Sequence, residues 1–345
     1  MANPEHLSKI LEGVKAWNCW RESNPNVRPN LDDVDFMSNT LDVSSLVSID
    51  EKTGSKYLDF SYANFSEMSM RSVNVHNAKF FGANFCKSEL GESIFISCHF
   101  LGAKLKSSVF YRGNLSGSDF WAVDLRKVNF VEANLHSANF LSARLQGAHL
   151  KKAKMQNAIF VDARLQRADL TDAWLLDTNL QRANLEGANV TNVKFRHNSS
   201  KQKHYQGIRL SGSYGSQIFK SFAQDQDYIE EFRELKPFLF KIWWVLANCG
   251  RSFCLWAGWS LVLAVSFGFF YYMMGINHIK PDPPLPFSLL TMMYYSVVTF
   301  TTLGFGDVKP QTELAALVVM AEVIIGYIML GGLISILANK LARRS

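Results

Sequence analysis

From Phe60 to Phe195 every fifth residue is Phe, Leu, Met or Val, at 28 positions without exception. Two residues before each large one sits a small or slim side chain, with alanine unbroken at Ala133, Ala138, Ala143, Ala148, Ala153, Ala158 and Ala163. The residue just before the large one is often Asn, Asp, Arg or Lys, as in the pentads VEANL, LSARL and QRADL. A period of five suits neither an α-helix nor a plain strand. Within one pentad, however, the small and the large residue are two apart, so a short extended piece points both inward. The other three residues must carry the chain round a corner. Stacked corners make a solenoid whose core is a column of Leu and Phe.

A shorter run, Leu31, Phe36, Leu41 and Leu46, keeps the period in another phase, because the step from Leu46 to Phe60 is not a whole number of pentads. The solenoid is therefore expected over 29–197, as an offset first coil at 29–48, a loop at DEKTGS and a main run at 56–195. Ahead of it, Leu7, Leu11, Val14 and Trp17 fall on one helical face, which predicts a capping helix within 1–28 over the open end. After Phe195 the sequence turns polar and glycine-rich, and 198–250 reads as a linker. Within it Phe222, Ile229, Phe232 and Leu235 form a stripe opposed by Asp225, Asp227, Glu230 and Glu231, and Trp243 and Trp244 follow Lys241. An amphipathic helix at a membrane interface and a soluble adaptor helix both fit that stripe.

The pattern then changes to long apolar runs. Ser252–Met274 contains no charge, and Ala315–Ala338 contains a single one, Glu322. Each is long enough to span a hydrocarbon core, giving an all-α domain at 251–345 with spans at 252–274 and 312–340. Between them PDPPLP stops any helix, FSLLTMMYYSVVTF reads as a short apolar helix at 287–300, and TFTTLGFGDVKP follows.

The pentads resemble the A(D/N)LxX motif of the pentapeptide-repeat family over about 140 residues. That resemblance implies a right-handed quadrilateral β-helix with four pentads per coil, seven coils and about 34 Å of length. The C-terminal hundred residues resemble the two-transmembrane pore module of the potassium channel superfamily. Thr301, Thr302, Leu303, Gly304, Phe305, Gly306 and Asp307 stand against the family's TTVGYGD, and Pro310 and Gly326 also match. The resemblance implies a re-entrant pore helix, a selectivity filter at 301–307 and a homotetramer in a lipid bilayer. K+ would be the permeant ion, held by the backbone carbonyls of Thr302, Leu303, Gly304 and Phe305 and by the Thr302 hydroxyl. Asp307 would sit at the outer mouth, with Tyr294 placed to donate a hydrogen bond to it.

The physical logic agrees. A dehydrated cation needs replacement oxygens, and rings of neutral carbonyl dipoles supply them without binding too tightly. Successive carbonyls face one axis only where the backbone alternates in hand, which glycine at every second residue allows. Gly304 and Gly306 provide that, with Leu303 and Phe305 pointing away into surrounding protein. A phosphate-binding loop is the competing reading, but no Lys-Ser/Thr pair or βα unit accompanies these glycines. Leu303 replaces the family's Val, Phe305 its Tyr, and Val298 stands where some members carry Glu. Gly326, Gly331 and Gly332 are candidates for a gating hinge or for close helix packing. Glu322 is an intramembrane carboxylate, expected to bond toward the pore helix or to serve structure alone.

Charge narrows the partners. Residues 56–195 hold 17 Lys and Arg against 12 Asp and Glu, the wrong sign for the acidic DNA mimics of the repeat family. No nucleic acid is expected, and Lys151, Lys152 and Lys154 read as solvated. The five cysteines are scattered and the eight histidines form no ligand pair, so free thiols, no metal and no cofactor are expected. No residue is assigned a catalytic role and the chain is not expected to be an enzyme. The charged N-terminus is no secretory signal. Lys236, Lys241 and Arg251 precede the first span and Lys340, Arg343 and Arg344 follow the second, with only Lys280 and Lys309 between. The positive-inside rule then puts both termini in the cytoplasm of a multi-pass protein of the cell (plasma or inner) membrane.

There is neither an arginine-rich voltage-sensing helix nor a βαβ nucleotide fingerprint. The leading expectation is a tetrameric potassium-selective channel whose cytoplasmic solenoid regulates it or docks an unidentified partner or ligand. A non-selective monovalent cation channel and a membrane-tethered binding scaffold remain open alternatives.

Overall fold

The computed structural model describes residues 1–195, 204–247 and 252–342. The chain divides into two compact units, 1–231 and 232–345.

In the first unit parallel bridges join residues twenty apart, as in the ladder Asn114, Asn134, Lys154, Trp174 and Lys194. Twenty residues are four pentads, so each coil has four sides. At each corner the residue two after the large one is left-handed, as at Tyr62 (φ 62°), Lys127 (58°) and Asp172 (57°). The N–H of that residue and the N–H of the large residue both donate to the next coil: Phe60 to Lys79 O at 2.8 Å and Tyr62 to Phe81 O at 2.7 Å. Corners therefore leave few backbone groups unpaired. The residue before the large one is often Asn or Asp because its side chain accepts from the backbone N–H two residues on. Val131 N donates to Asn129 Oδ1 (3.0 Å) and Thr171 N to Asp169 Oδ1 (3.1 Å); such local bonds favour turns over helix.

The large residues from Phe60 to Val190 are all buried. On one side Phe60, Phe80, Phe100, Phe120, Phe140 and Phe160 stack with ring centroids 4.6 to 5.2 Å apart. At Ser88, Ser93, Ser118 and Thr178 the small position carries a hydroxyl that bonds the preceding coil, as Ser118 Oγ donates to Phe95 O and Thr178 Oγ1 to Met155 O. Burial pushes the Cys98 thiol up to about 12, so it packs as an apolar group.

The ends differ from expectation in three ways. The N-terminal cap is two helices, α1 (Pro4–Leu11) and α2 (Val14–Ser23), because Gly13 breaks the chain at φ 105°. α2 meets the exposed coil edge with polar groups as well as apolar ones. Trp17 Nε1 donates to Asn64 O (2.9 Å), Arg21 to Ser66 O (2.9 Å), and Asn18 Oδ1 accepts from Asn64 N (2.8 Å). The DEKTGS loop is the tip of an antiparallel hairpin, Val47–Ile49 against Lys56–Leu58. The hairpin lengthens the first coil, which bridges from Asn30 to Ser69, almost twice the usual step.

The expected linker boundary at 198 is wrong. Residues 204–216 continue the solenoid: Leu180 N donates to His204 O, Leu185 N to Arg209 O, and Tyr214–Gly215 pairs in parallel with Asn189–Val190. Asn184 bridges to Arg209 there, so the last turn takes one extra pentad. Residues 196–203 and 248–251, Arg251 among them, lie outside the described residues, as do Arg343 and Arg344. α3 (Gln217–Leu235) then buries Phe219 and Ala223 in the same core as the solenoid. Glu230, expected on the polar face, is buried, as are Gln226 and Ile229. The helix thus closes the C-terminal end of the coil stack, with Asp227 accepting from Gly207 N at 2.6 Å.

The second unit contains α4 (Pro237–Ala247), α5 (Phe253–Met274), α6 (Leu289–Phe300) and α7 (Glu313–Ala342). α5 and residues 313–338 of α7 are long and apolar enough to cross a membrane, and most of their surface is uncovered within the chain. A soluble core helix would be covered. α6 is started by Ser288, whose Oγ accepts from Thr291 N.

Candidate functional site

α6 is wedged between two glycines on flanking helices. A Cβ added to Gly268 of α5 would lie 2.7 Å from Met293 Cα, and one added to Gly326 of α7 would lie 2.2 Å from Phe300 O. Gly268 had no sequence signal beyond being one small residue in an apolar run. Gly332 is likewise filled, by the Trp256 ring at 2.3 Å, whereas Gly331 has open space. α7 runs unbroken through all three, so close packing accounts for Gly326 and Gly332. Gly326→Ala should push α6 off α7: we expect at least a tenfold loss of assembled protein, read by size exclusion in detergent, with Gly331→Ala near wild type.

Polar groups lock the same three helices. Glu322 is fully buried. Its Oε2 accepts from the Tyr271 hydroxyl of α5 at 2.5 Å, and its Oε1 is bonded to Ser296 Oγ of α6. Ser296 Oγ also reaches Ala264 O of α5 at 2.6 Å. A lone carboxyl at this depth is costly unless satisfied, and here both oxygens have hydroxyl partners.

The C-terminus of α6 feeds the loop at 301–307. Its backbone alternates in hand: φ is positive at Thr302 (61°), Gly304 (55°) and Gly306 (76°), and at no other residue of the loop. Thr302, a non-glycine, also sits in the left-handed region, which the sequence did not indicate. The loop hangs from the helix by Leu303 N to Val298 O (2.9 Å), Thr302 N to Thr299 O (2.9 Å) and Thr301 Oγ1 to Val297 O (2.7 Å). Beyond it the Tyr294 hydroxyl donates to Asp307 Oδ2 at 2.7 Å, fastening the far end of the loop back to α6.

An outer clasp not visible in the sequence adds to this. Ile279–Pro281 pairs antiparallel with Val308–Pro310, Asp282 N donates to Asp307 O (2.7 Å), and Lys309 Nζ lies 2.6 Å from Asp282 Oδ2. The loop is thus held at both ends while its middle is open. Leu303 and Phe305, expected to pack into surrounding protein, are 63% and 65% exposed in the single chain. Among the described residues no cluster of His, Cys, Asp and Glu could hold a metal ion, and Cys19, Cys86, Cys98 and Cys254 are free thiols.

Comparison with known families agrees with both units. The ion channel family model matches residues 259–343. Pentapeptide-repeat models match 93–162, and 57–85 with 158–197 in eight copies. The chain is a fusion of a pentapeptide-repeat region with a two-transmembrane ion-channel module, and so a membrane protein.

Among solved structures, the chain is similar to HetL, a pentapeptide repeat protein involved in heterocyst differentiation regulation from the cyanobacterium Nostoc sp. strain PCC 7120. Identity is 19% over 56% of this chain and 90% of that one, with a TM-score of 0.29. It is also similar to a pentapeptide repeat protein from the Arabidopsis thaliana thylakoid lumen, at 34% identity over 29% of this chain and 63% of that one, TM-score 0.24. A third is trypsin-treated QnrB1, a plasmid-mediated fluoroquinolone resistance protein, at 19% identity over 49% and 95%, TM-score 0.35. No curated protein matches the chain.

Proposed function

We propose that the chain is one subunit of a homotetrameric, potassium-selective channel of the cell membrane, with α6 as re-entrant pore helix and 301–307 as selectivity filter. The observation that carries this reading is the alternating hand of Thr302, Gly304 and Gly306 in a loop strung between two spanning helices. In such a run the carbonyls of Thr302, Leu303, Gly304 and Phe305 turn toward one side, and four copies make rings that replace the hydration shell of K+. The Thr302 hydroxyl extends the same path inward. Asp307, braced by Tyr294, draws cations to the outer mouth.

The uncovered Leu303 and Phe305 support the tetramer, because large apolar side chains beside a filter need neighbours to cover them. Glu322 acts as a tie that holds the pore helix to both spans, and no moving hinge is assigned to Gly326. Basic residues flank the spans on the side of both termini, which favours a cytoplasmic solenoid.

Reversal potentials of the purified protein in planar bilayers with opposed K+ and Na+ gradients test the reading. A reversal near the K+ equilibrium potential is expected. Equal permeability would leave a non-selective cation pore, and no current under any condition would leave a membrane-tethered scaffold.

A further inference from the structure

The four-pentad register sorts charge in a way that the five-residue period hides. Over the four coils that span residues 98–177, one side of the solenoid collects the pentads 103–107, 123–127, 143–147 and 163–167. Lys104, Asp124, Arg144 and Arg164 are stacked on it by direct parallel bridges. That side carries seven basic residues and one acidic residue. The next side has three of each sign, the third one of each, and the fourth two acidic residues and no basic one. The net positive excess of these coils is therefore confined to a single side, about 14 Å tall at the usual strand spacing.

The one acidic residue there is already engaged. Arg126 holds Asp124 with two bonds of 2.6 and 2.7 Å, which keeps that carboxyl below the usual carboxylate range and so charged. Among the described residues Lys104, Lys106, Lys127, Arg144, Arg164 and Arg167 make no ion pair within this chain, and all six are exposed. Elsewhere on the same coils two of the four cations are paired, Arg112 with Glu132 at 2.8 Å and Lys152 with Glu132 at 3.9 Å.

One corner of this basic side is apolar. Phe81, Leu101, Trp121, Leu141 and Val161 occupy the same corner position of five successive coils. Trp121 is 46% and Leu101 38% exposed, and the other three are half-buried. The next residues in the corner are small at Gly82, Gly102, Ala122 and Ser142, which leaves the ridge open beside Leu101 and Trp121, while the Tyr62 ring lies over Gly82 at the Phe81 end. Among the described residues no other corner of the solenoid repeats this pattern.

We propose that this basic side, with its Phe81–Val161 ridge, is a docking surface for an anionic phospholipid bilayer. Six unneutralised cations are attracted by the negative surface potential of such a leaflet. A Trp-bearing ridge beside them suits the headgroup–acyl boundary, where amphipathic aromatic rings settle. A partner protein would need its own acidic groove, whereas a bilayer comes with the chain itself. The proposal rests on the reading of α5 and α7 as membrane spans and not on ion selectivity.

The test is lysine footprinting of the full chain in lipid nanodiscs, with a water-soluble acylating reagent and mass spectrometry. Discs of phosphatidylcholine alone are compared with discs that contain phosphatidylserine. Lys104, Lys106 and Lys127 should react about tenfold more slowly in the anionic discs, and high salt should remove the difference. Lys151 and Lys152, on the neighbouring side, should not change and serve as the internal standard. Arg144→Gln with Arg164→Gln, or Trp121→Ala alone, should weaken the protection while the Lys151 and Lys152 rates report an intact solenoid. Equal rates in both lipids would overturn the proposal. So would protection that requires an added polynucleotide and ignores the lipid, since that would make the side a nucleic-acid surface. Failure of the membrane reading is read separately, as a chain that does not co-elute with the discs.

Discussion

Replacing Gly304 by alanine is expected to abolish potassium flux from reconstituted protein while leaving the assembled channel and its solenoid in place. The residue sits at φ 55° with nothing within 4 Å of where a Cβ would go, so the penalty is one of backbone conformation. An L-residue held left-handed costs roughly 1 to 2 kcal/mol, and the proposed tetramer would impose it four times around one axis, about 4 to 8 kcal/mol per pore. Relaxing that strain turns the peptide and takes a carbonyl out of its ring. A potassium-flux assay in vesicles, with size exclusion as the control for assembly, reads both halves. Undiminished flux would show that 301–307 does not line the path of the ion.

The second large effect is in the solenoid. Phe120→Ala should lower its unfolding temperature by roughly 6 to 20 °C, from a core loss of about 3 to 5 kcal/mol and a shift of about 2 to 4 °C per kcal/mol for a unit of this size. Phe120 is fully buried, stacked 4.8 Å from Phe100 and 5.0 Å from Phe140, with Phe130 edge-on at 6.2 Å. A neighbour cannot slide in to fill the gap, because each ring is fixed by the hydrogen-bonded coil that bears it. Thermal denaturation followed by circular dichroism in the β region measures it. Phe120→Leu should lose less than half as much, and an unchanged midpoint for Phe120→Ala would mean that the ring column carries no stability.

What could be read in advance follows the length scale of the interactions. The solenoid is local: five residues define a side, so a period in one dimension gives the core residues directly. The loop after α6 was legible because alternating hand needs a visible residue, glycine. Contacts between distant segments left a mark only where a polar group stood out, as with Glu322 facing the pore helix and Tyr294 near Asp307. Gly268 meets Met293 and Glu322 meets Tyr271 only once three helices are packed, and nothing in the sequence singles out Gly268 or Tyr271.

The final coil was missed for a different reason. Tyr205 and Leu210 keep the five-residue phase, but the polar stretch ahead of them and an extra pentad hide it. The Gly13 break in the cap was in view all along, yet the apolar stripe through it reads equally well as one helix. Charge sorting on the solenoid was hidden because it repeats with the coil, not with the pentad.

The left-handed corner has a consequence for what this surface is able to recognise. From Tyr62 to Asn192 the residue that takes the corner's positive φ is never Val, Ile or Thr, since branching at Cβ clashes there. Each pentad therefore offers three outward columns, but only two are open to the full alphabet. What a solenoid of this kind comes to bind is spelled most freely in those two: here they hold Lys104, Arg144 and Arg164 in one and Phe81, Leu101 and Trp121 in the other. The third column adds unbranched residues such as Lys127 and Arg167, from an alphabet that the backbone has already shortened.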